Sequence, residues 1–122
     1  MANTNINEIK TINKNNMKKI KKIFISGKIT GEPPEACIDK FYKARYELLL
    51  KYGVNDSKII IPLKIQGIHF GISHEDAMKL CLDELKTCTH IYMLKDWELS
   101  RGAKMEHEFA RNNGITIIYE KC

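Results

Sequence analysis

Four short apolar runs punctuate the chain, and between them hydrophobic residues recur three and four apart. Residues 20–26 (IKKIFIS) form the first run, a β-rich stretch that stops at a turn containing Gly27 and Gly31. Pro34 suits the first turn of a helix, and Cys37, Phe41, Ala44 and Leu48 then repeat at helical spacing. Lys40, Lys43, Glu47 and Lys51 fall on the opposite side, and Gly53 is the stop. Residues 58–62 (KIIIP) predict a short buried strand broken by proline. Ser73-His-Glu-Asp76 is a capping-box pattern, which opens a second helix through about residue 87. Residues 90–94 (HIYML) are a third strand. Ser100 is the N-cap of a third helix that Gly114 ends, and residues 115–119 (ITIIY) are the last strand.

The order is β-α-β-α-β-α-β. Strands that are apolar throughout and alternate with amphipathic helices predict a parallel sheet covered on both faces. Right-handed crossovers make this an α/β fold, a small doubly wound sheet of the flavodoxin or Rossmann-like kind, ordered 2-1-3-4. Ligands of such sheets bind beyond the carboxyl ends of the strands, near the switch in strand order. Here that means residues 27–33 and 95–100.

Length and composition narrow this picture. A chain of 122 residues supports one domain, and 43% hydrophobic with 29% charged residues is the composition of a water-soluble globule. No apolar run reaches a membrane span, and the opening segment lacks a signal-peptide pattern, so a cytoplasmic location is expected. The net charge of +5 suggests nucleic acid until it is located. Six lysines and one glutamate lie in residues 1–22, while the other hundred residues hold fourteen acids and fourteen bases. The excess therefore lies in the first 22 residues, and the chain divides into a flexible basic arm, residues 1–19, and a domain, residues 20–122, that is neutral beyond its first two lysines. This points away from nucleic acid as a partner.

Cys37, Cys81, Cys88 and Cys122 form no CxxC pair and read as reduced thiols. Cys81 and Cys88 share a helix face with Ala77 and Leu85, as small core residues do. His69, His74, His90 and His107 have no metal-binding spacing, and neither a metal nor an organic cofactor is expected. The loop of residues 63–72 carries Ile65, Ile68 and Phe70, which lack an obvious core to enter. A homo-oligomer with two-fold symmetry is the expectation.

Two nucleotide signatures, GxGxxG and GxxxxGK[ST], are absent. The first loop, with Ser26, Gly27, Lys28 and Gly31, is either an ordinary strand-to-helix turn or one whose glycines let a ligand approach the backbone. The third helix says more. Arg101, Lys104, Glu108 and Arg111 make its polar stripe, and Ala103, Glu106 and Ala110 make a small-residue stripe that should face the sheet. Glu106 is then a carboxylate on the inner face. It is either salt-bridged at the core edge or a site carboxylate whose pKa is raised by desolvation. Ser100 serves as a plain cap or marks an anion site at the helix N-terminus.

The segments IFISGKITG and CTHIYMLKDWELSRGAKMEHEFARNNGITIIYE resemble a small family typified by the motif W-x-x-S-x-G-A-x-x-E-x-x-x-A. That family looks like a branch of the nucleoside 2-deoxyribosyltransferase superfamily, which includes the 2′-deoxynucleoside 5′-phosphate N-hydrolases. The resemblance covers residues 20–120. It implies cleavage or exchange of an N-glycosidic bond, with Glu106 attacking the anomeric carbon of a nucleoside or nucleotide. The shared motif falls on Ser100, Gly102, Glu106 and Ala110, so Ser100 and Gly102 would meet a 5′-phosphate with the first-loop amides, Lys28 adding charge. Trp97 is either a cover for the base or sugar or a packing anchor. The superfamily's first-strand tyrosine is Phe24 here, and its second-helix aspartate corresponds to Cys81. Asp76 and Asp83 nearby are the candidates for orienting sugar hydroxyls, although Asp76 also fits the capping box and Asp83 a solvated face. The alternative reading is a non-catalytic nucleotide binder, for sequestration or sensing in a phage or mobile element.

Overall fold

The computed structural model describes residues 19–69 and 71–121. The basic arm, apart from Lys19, lies outside the described residues, as do Phe70 and Cys122. The elements run β1 (Ile23–Ser26), α1 (Pro34–Tyr52), β2 (Ile59–Ile60), α2 (His74–Leu85), β3 (His90–Met93), α3 (Arg101–Asn112) and β4 (Thr116–Tyr119). The four strands form one sheet in the order β2-β1-β3-β4, and every pair is parallel. The doubly wound α/β fold expected from the hydrophobic pattern is the one observed.

Strand alternation divides the interior in two. Ile23 and Ile25 of β1, with Tyr92 and Leu94, turn to the face covered by α1, where they meet Cys37, Phe41, Ala44 and Leu48. Phe24 of β1 and Ile91 and Met93 of β3 turn to the other face, against Cys81 and Leu85 of α2 and Ala103 and Ala110 of α3. Phe24 and Phe41 are fully buried, one on each side. Each contributes roughly 1.5–3 kcal/mol by leaving water, which makes them the anchors of the two layers. The helix α1 ends where Gly53 takes φ 64° and donates its N–H to the Leu49 carbonyl. Only glycine adopts that left-handed turn without strain.

Three details differ from the sequence expectation. The second strand shrinks to two residues because Pro62 cannot donate to a ladder and instead starts a 3₁₀ turn, Pro62–Lys64. The last strand is an edge. Its side chains are less buried than those of β1 and β3, with Ile117 and Ile118 half-buried against opposite faces and Tyr119 exposed. Ile65 and Ile68, which seemed to lack a core, are half-buried against the α2–α3 side of the sheet. Among the described residues, no helix is long and apolar enough to cross a membrane.

Candidate functional site

The helix α3 starts at Ser100, whose side-chain oxygen accepts the Ala103 N–H at 3.0 Å. Its buried residues are Ala103, Glu106 and Ala110, the stripe read from the sequence. Two alanines let the helix backbone approach the sheet, and the carboxyl between them has nowhere to go but inward. Glu106 is 5% exposed. It lies beside the carboxyl end of β1, where Ser26 Oγ is 2.5 Å from Glu106 Oε1.

Burial pushes the Glu106 carboxyl up to about 7, and hydrogen bonding from Ser26, then the thiol of Cys81, draws it partly back. Neither lysine nor arginine pairs with it among the described residues, so the salt-bridge reading of this glutamate falls away. An acid of this kind is half ionised near neutrality. Ionised, it is a buried anion without a counter-charge, suited to nucleophilic attack or to stabilising a positive charge that develops on a bound ligand. The Cys81 thiol is itself pushed far up, by burial first and then by the charge of Glu106, and is therefore inert as a thiolate.

The first loop is held by side chains of its own, of α1 and of the β3–α3 loop. The Lys28 N–H donates to Asp96 Oδ1 at 3.1 Å. Lys40 reaches from α1 to Asp96 Oδ2 at 2.6 Å, to Glu32 at 3.3 Å and to the Lys28 carbonyl at 2.6 Å. The Lys28 ammonium donates to Glu32 and to the Thr30 carbonyl. Burial alone would lower the Lys40 pKa, but Asp96 and then Glu32 more than offset it and hold the ammonium above its usual range. Glu32 is held below the usual carboxylate range by Lys28 first and Lys40 second. Two cations thus balance two anions beside the first loop, and the charge assigned to Lys28 is neutralised within the protein.

The two glycines of this loop have separate reasons. A Cβ on Gly27 would sit 2.6 Å from Leu94 Cδ1 and 2.9 Å from Leu94 Cβ, so the position is reserved by core packing. Gly31 has φ 84°, a turn conformation. In α3, a Cβ on Gly102 would meet Met78 Sδ at 3.3 Å and His74 Cε1 at 3.9 Å, so α2 closes over the start of α3. The buried His74 Nε2 has no hydrogen-bond partner among the described residues.

The remaining candidates lie apart from Glu106. Trp97 stacks on His107 with ring centroids 4.1 Å apart, and His107 Nε2 is 2.7 Å from the Tyr119 hydroxyl. That arrangement makes Trp97 a packing anchor between the β3–α3 loop and β4. Asp76 is exposed in the first turn of α2, its backbone N–H given to Ser73 Oγ. Asp83 is exposed and 3.5 Å from Lys86. Neither turns inward, and the position facing Glu106 from α2 belongs to Cys81. Among the described residues no cluster of three or more His, Cys, Asp or Glu side chains is disposed for a metal ion. Two cavities, of ≈ 300 and ≈ 330 Å³, lie elsewhere, one beside Thr89 and Ile115 at the amino end of the sheet and one along β2.

Sequence reasoning missed Lys40, Glu32 and Asp96, which sit among many similar charged surface residues with no spacing to single them out. It also gave Ser26 to the loop rather than to Glu106. The signal was present: Ser26 is two residues from Phe24 in a strand, and so shares its face. A family model described as a domain of unknown function (DUF4406) matches residues 21–119. No curated protein and no solved structure matches the chain.

Proposed function

The chain belongs to the DUF4406 family, and we propose that this domain binds a nucleoside, nucleotide or related N-glycoside and cleaves or exchanges its N-glycosidic bond through Glu106. The observation that carries this reading is a buried carboxyl, without a cationic partner among the described residues, at the carboxyl edge of a doubly wound sheet. The resemblance of the S-x-G-x-x-x-E-x-x-x-A segment to the nucleoside 2-deoxyribosyltransferase superfamily agrees with it.

In the first step the ionised Glu106 oxygen bonds to the anomeric carbon as the carbon–nitrogen bond breaks. The bonding pair leaves on the base nitrogen, which takes a proton from water. In the second step a water oxygen replaces the glutamate at the same carbon and loses a proton to solvent, freeing the sugar. In the exchange reaction, a second base supplies the nitrogen instead. Ser100 and Gly102, at the start of α3, meet a ligand phosphate with the free N–H groups of the first turn. The domain works in the cytoplasm as a homo-oligomer.

The test is incubation with a panel of nucleosides and nucleotides, with released base followed by chromatography. Base release by the unmodified protein, absent from a folded Glu106→Gln variant, is the expected result. Because only the ionised carboxyl attacks, the rate should rise with pH through about 7. Undiminished release from Glu106→Gln sinks the assignment. The second reading, a nucleotide binder without turnover, draws on Phe24, which offers no hydroxyl beside the carboxyl, and on the near-complete burial of Glu106. Binding by calorimetry without base release selects it.

A further inference from the structure

We propose that Ser26 is the positioning residue of the site, its hydroxyl fixing the Glu106 carboxyl through Oε1. The inference takes its meaning from the reading of Glu106 as the reacting carboxylate, and its test does not depend on that reading.

Ser26 is completely buried, so its hydroxyl must find a partner inside the protein, and the one it has is Glu106 Oε1 at 2.5 Å. A separation this short belongs to a charge-assisted hydrogen bond between a hydroxyl and a carboxylate. The backbone beneath it is fixed. Ser26 is the last residue of β1, in register with Met93 of β3, and its carbonyl accepts the Leu94 N–H at 2.8 Å. The hydroxyl therefore projects from a rigid strand and not from the loop that follows.

Few other groups compete for the carboxyl. From α2 the Cys81 thiol turns to it, a weaker donor that also favours the anion. His74, on the same helix, lies over Gly102 at the start of α3. Burial pushes the acid towards its protonated form, and the Ser26 hydroxyl is the larger of the two interactions that oppose this. One hydroxyl thus governs both where the carboxyl points and how much of it is ionised.

The experiment is a carbon-13 NMR titration of the full chain with labelled glutamate side chains, the Glu106 signal being identified by its loss in Glu106→Gln. In Ser26→Ala the carboxyl should titrate at higher pH, with roughly tenfold tighter proton binding. Ser26→Thr keeps the hydroxyl and should restore the original titration, while Cys81→Ala should shift it upward by less. Should Ser26→Ala fail to fold, Ser26→Cys keeps the volume with a poorer donor, and a smaller upward shift is expected. A folded Ser26→Ala or Ser26→Cys protein that titrates where the unmodified one does overturns the proposal. No substrate is involved, so a failure of base release sinks the functional reading without touching this one.

Discussion

At the scale of single residues, the burial of Glu106 sets a conflict between function and stability. Its folded pKa, about 7, lies above the usual 4.5 of a glutamate, so the folded state holds the proton more tightly than the unfolded chain. Its contribution is therefore fully present below about pH 4.5 and is lost as pH rises through about 7. The loss amounts to roughly 3 kcal/mol if the whole shift is expressed in folding. Glu106→Gln, which cannot ionise, should leave stability near pH 4.5 almost unchanged and raise it at pH 8. Denaturant unfolding at the two pH values measures this. A variant less stable than the unmodified protein at pH 8 would show that the anion is welcome in its pocket. Ser26 and Gly27, adjacent in sequence, illustrate how local the assignments are. One turns its side chain to the carboxyl, and the other has none because Leu94 fills that space.

At the scale of elements, α3 does two jobs, and its first residues decide between them. Ser100 caps the helix in the structure. Ser100→Ala should cost about 1 kcal/mol of stability, the ordinary value of a lost cap. If the same terminus holds a phosphate, nucleoside monophosphates should bind roughly tenfold to a hundredfold more tightly than nucleosides, and the variant should narrow that gap. Calorimetry with one nucleoside and its monophosphate checks this, and equal affinities in the unmodified protein mean that Ser100 is a cap and nothing more. The elements themselves were legible in the sequence, because apolar strands and amphipathic helices differ in period and most ends carry a glycine, proline or serine. The inner stripe of α3 was legible for the same reason, and with it Glu106. The Lys28–Glu32–Lys40–Asp96 cluster was not, since Lys40 and Asp96 are 56 residues apart and meet only through the crossover. Nor was the lesser burial of β4, whose apolar residues read like those of an inner strand.

At the scale of the whole molecule, the proposed self-association needs a surface, and Ile65 and Ile68, expected to supply it, are half-buried within the domain. Exposed apolar side chains lie at Leu99, Met105 and Tyr119 and on the outer face of α1, where Ile38, Tyr46 and Leu50 are 46%, 61% and 69% exposed. Their spacing of eight and four puts them in one stripe. Light scattering at micromolar concentration should give the mass of a dimer or larger assembly, and Tyr46→Lys with Leu50→Lys should reduce it to a monomer. A monomer mass for the unmodified chain contradicts the assembly. The sheet has a further consequence, in time instead of space. Of its two inner strands β1 is synthesised first, yet Ile23 pairs with Ile59 and His90, and Ser26 meets Glu106 from 80 residues away. No hairpin shortens these distances, and folds that depend on remote pairings form slowly. The run IFIS therefore leaves the ribosome long before any partner exists, an apolar segment that invites chaperones or misassociation. Glu106, by contrast, acquires its burial and its raised pKa only through the packing of α3 on the sheet.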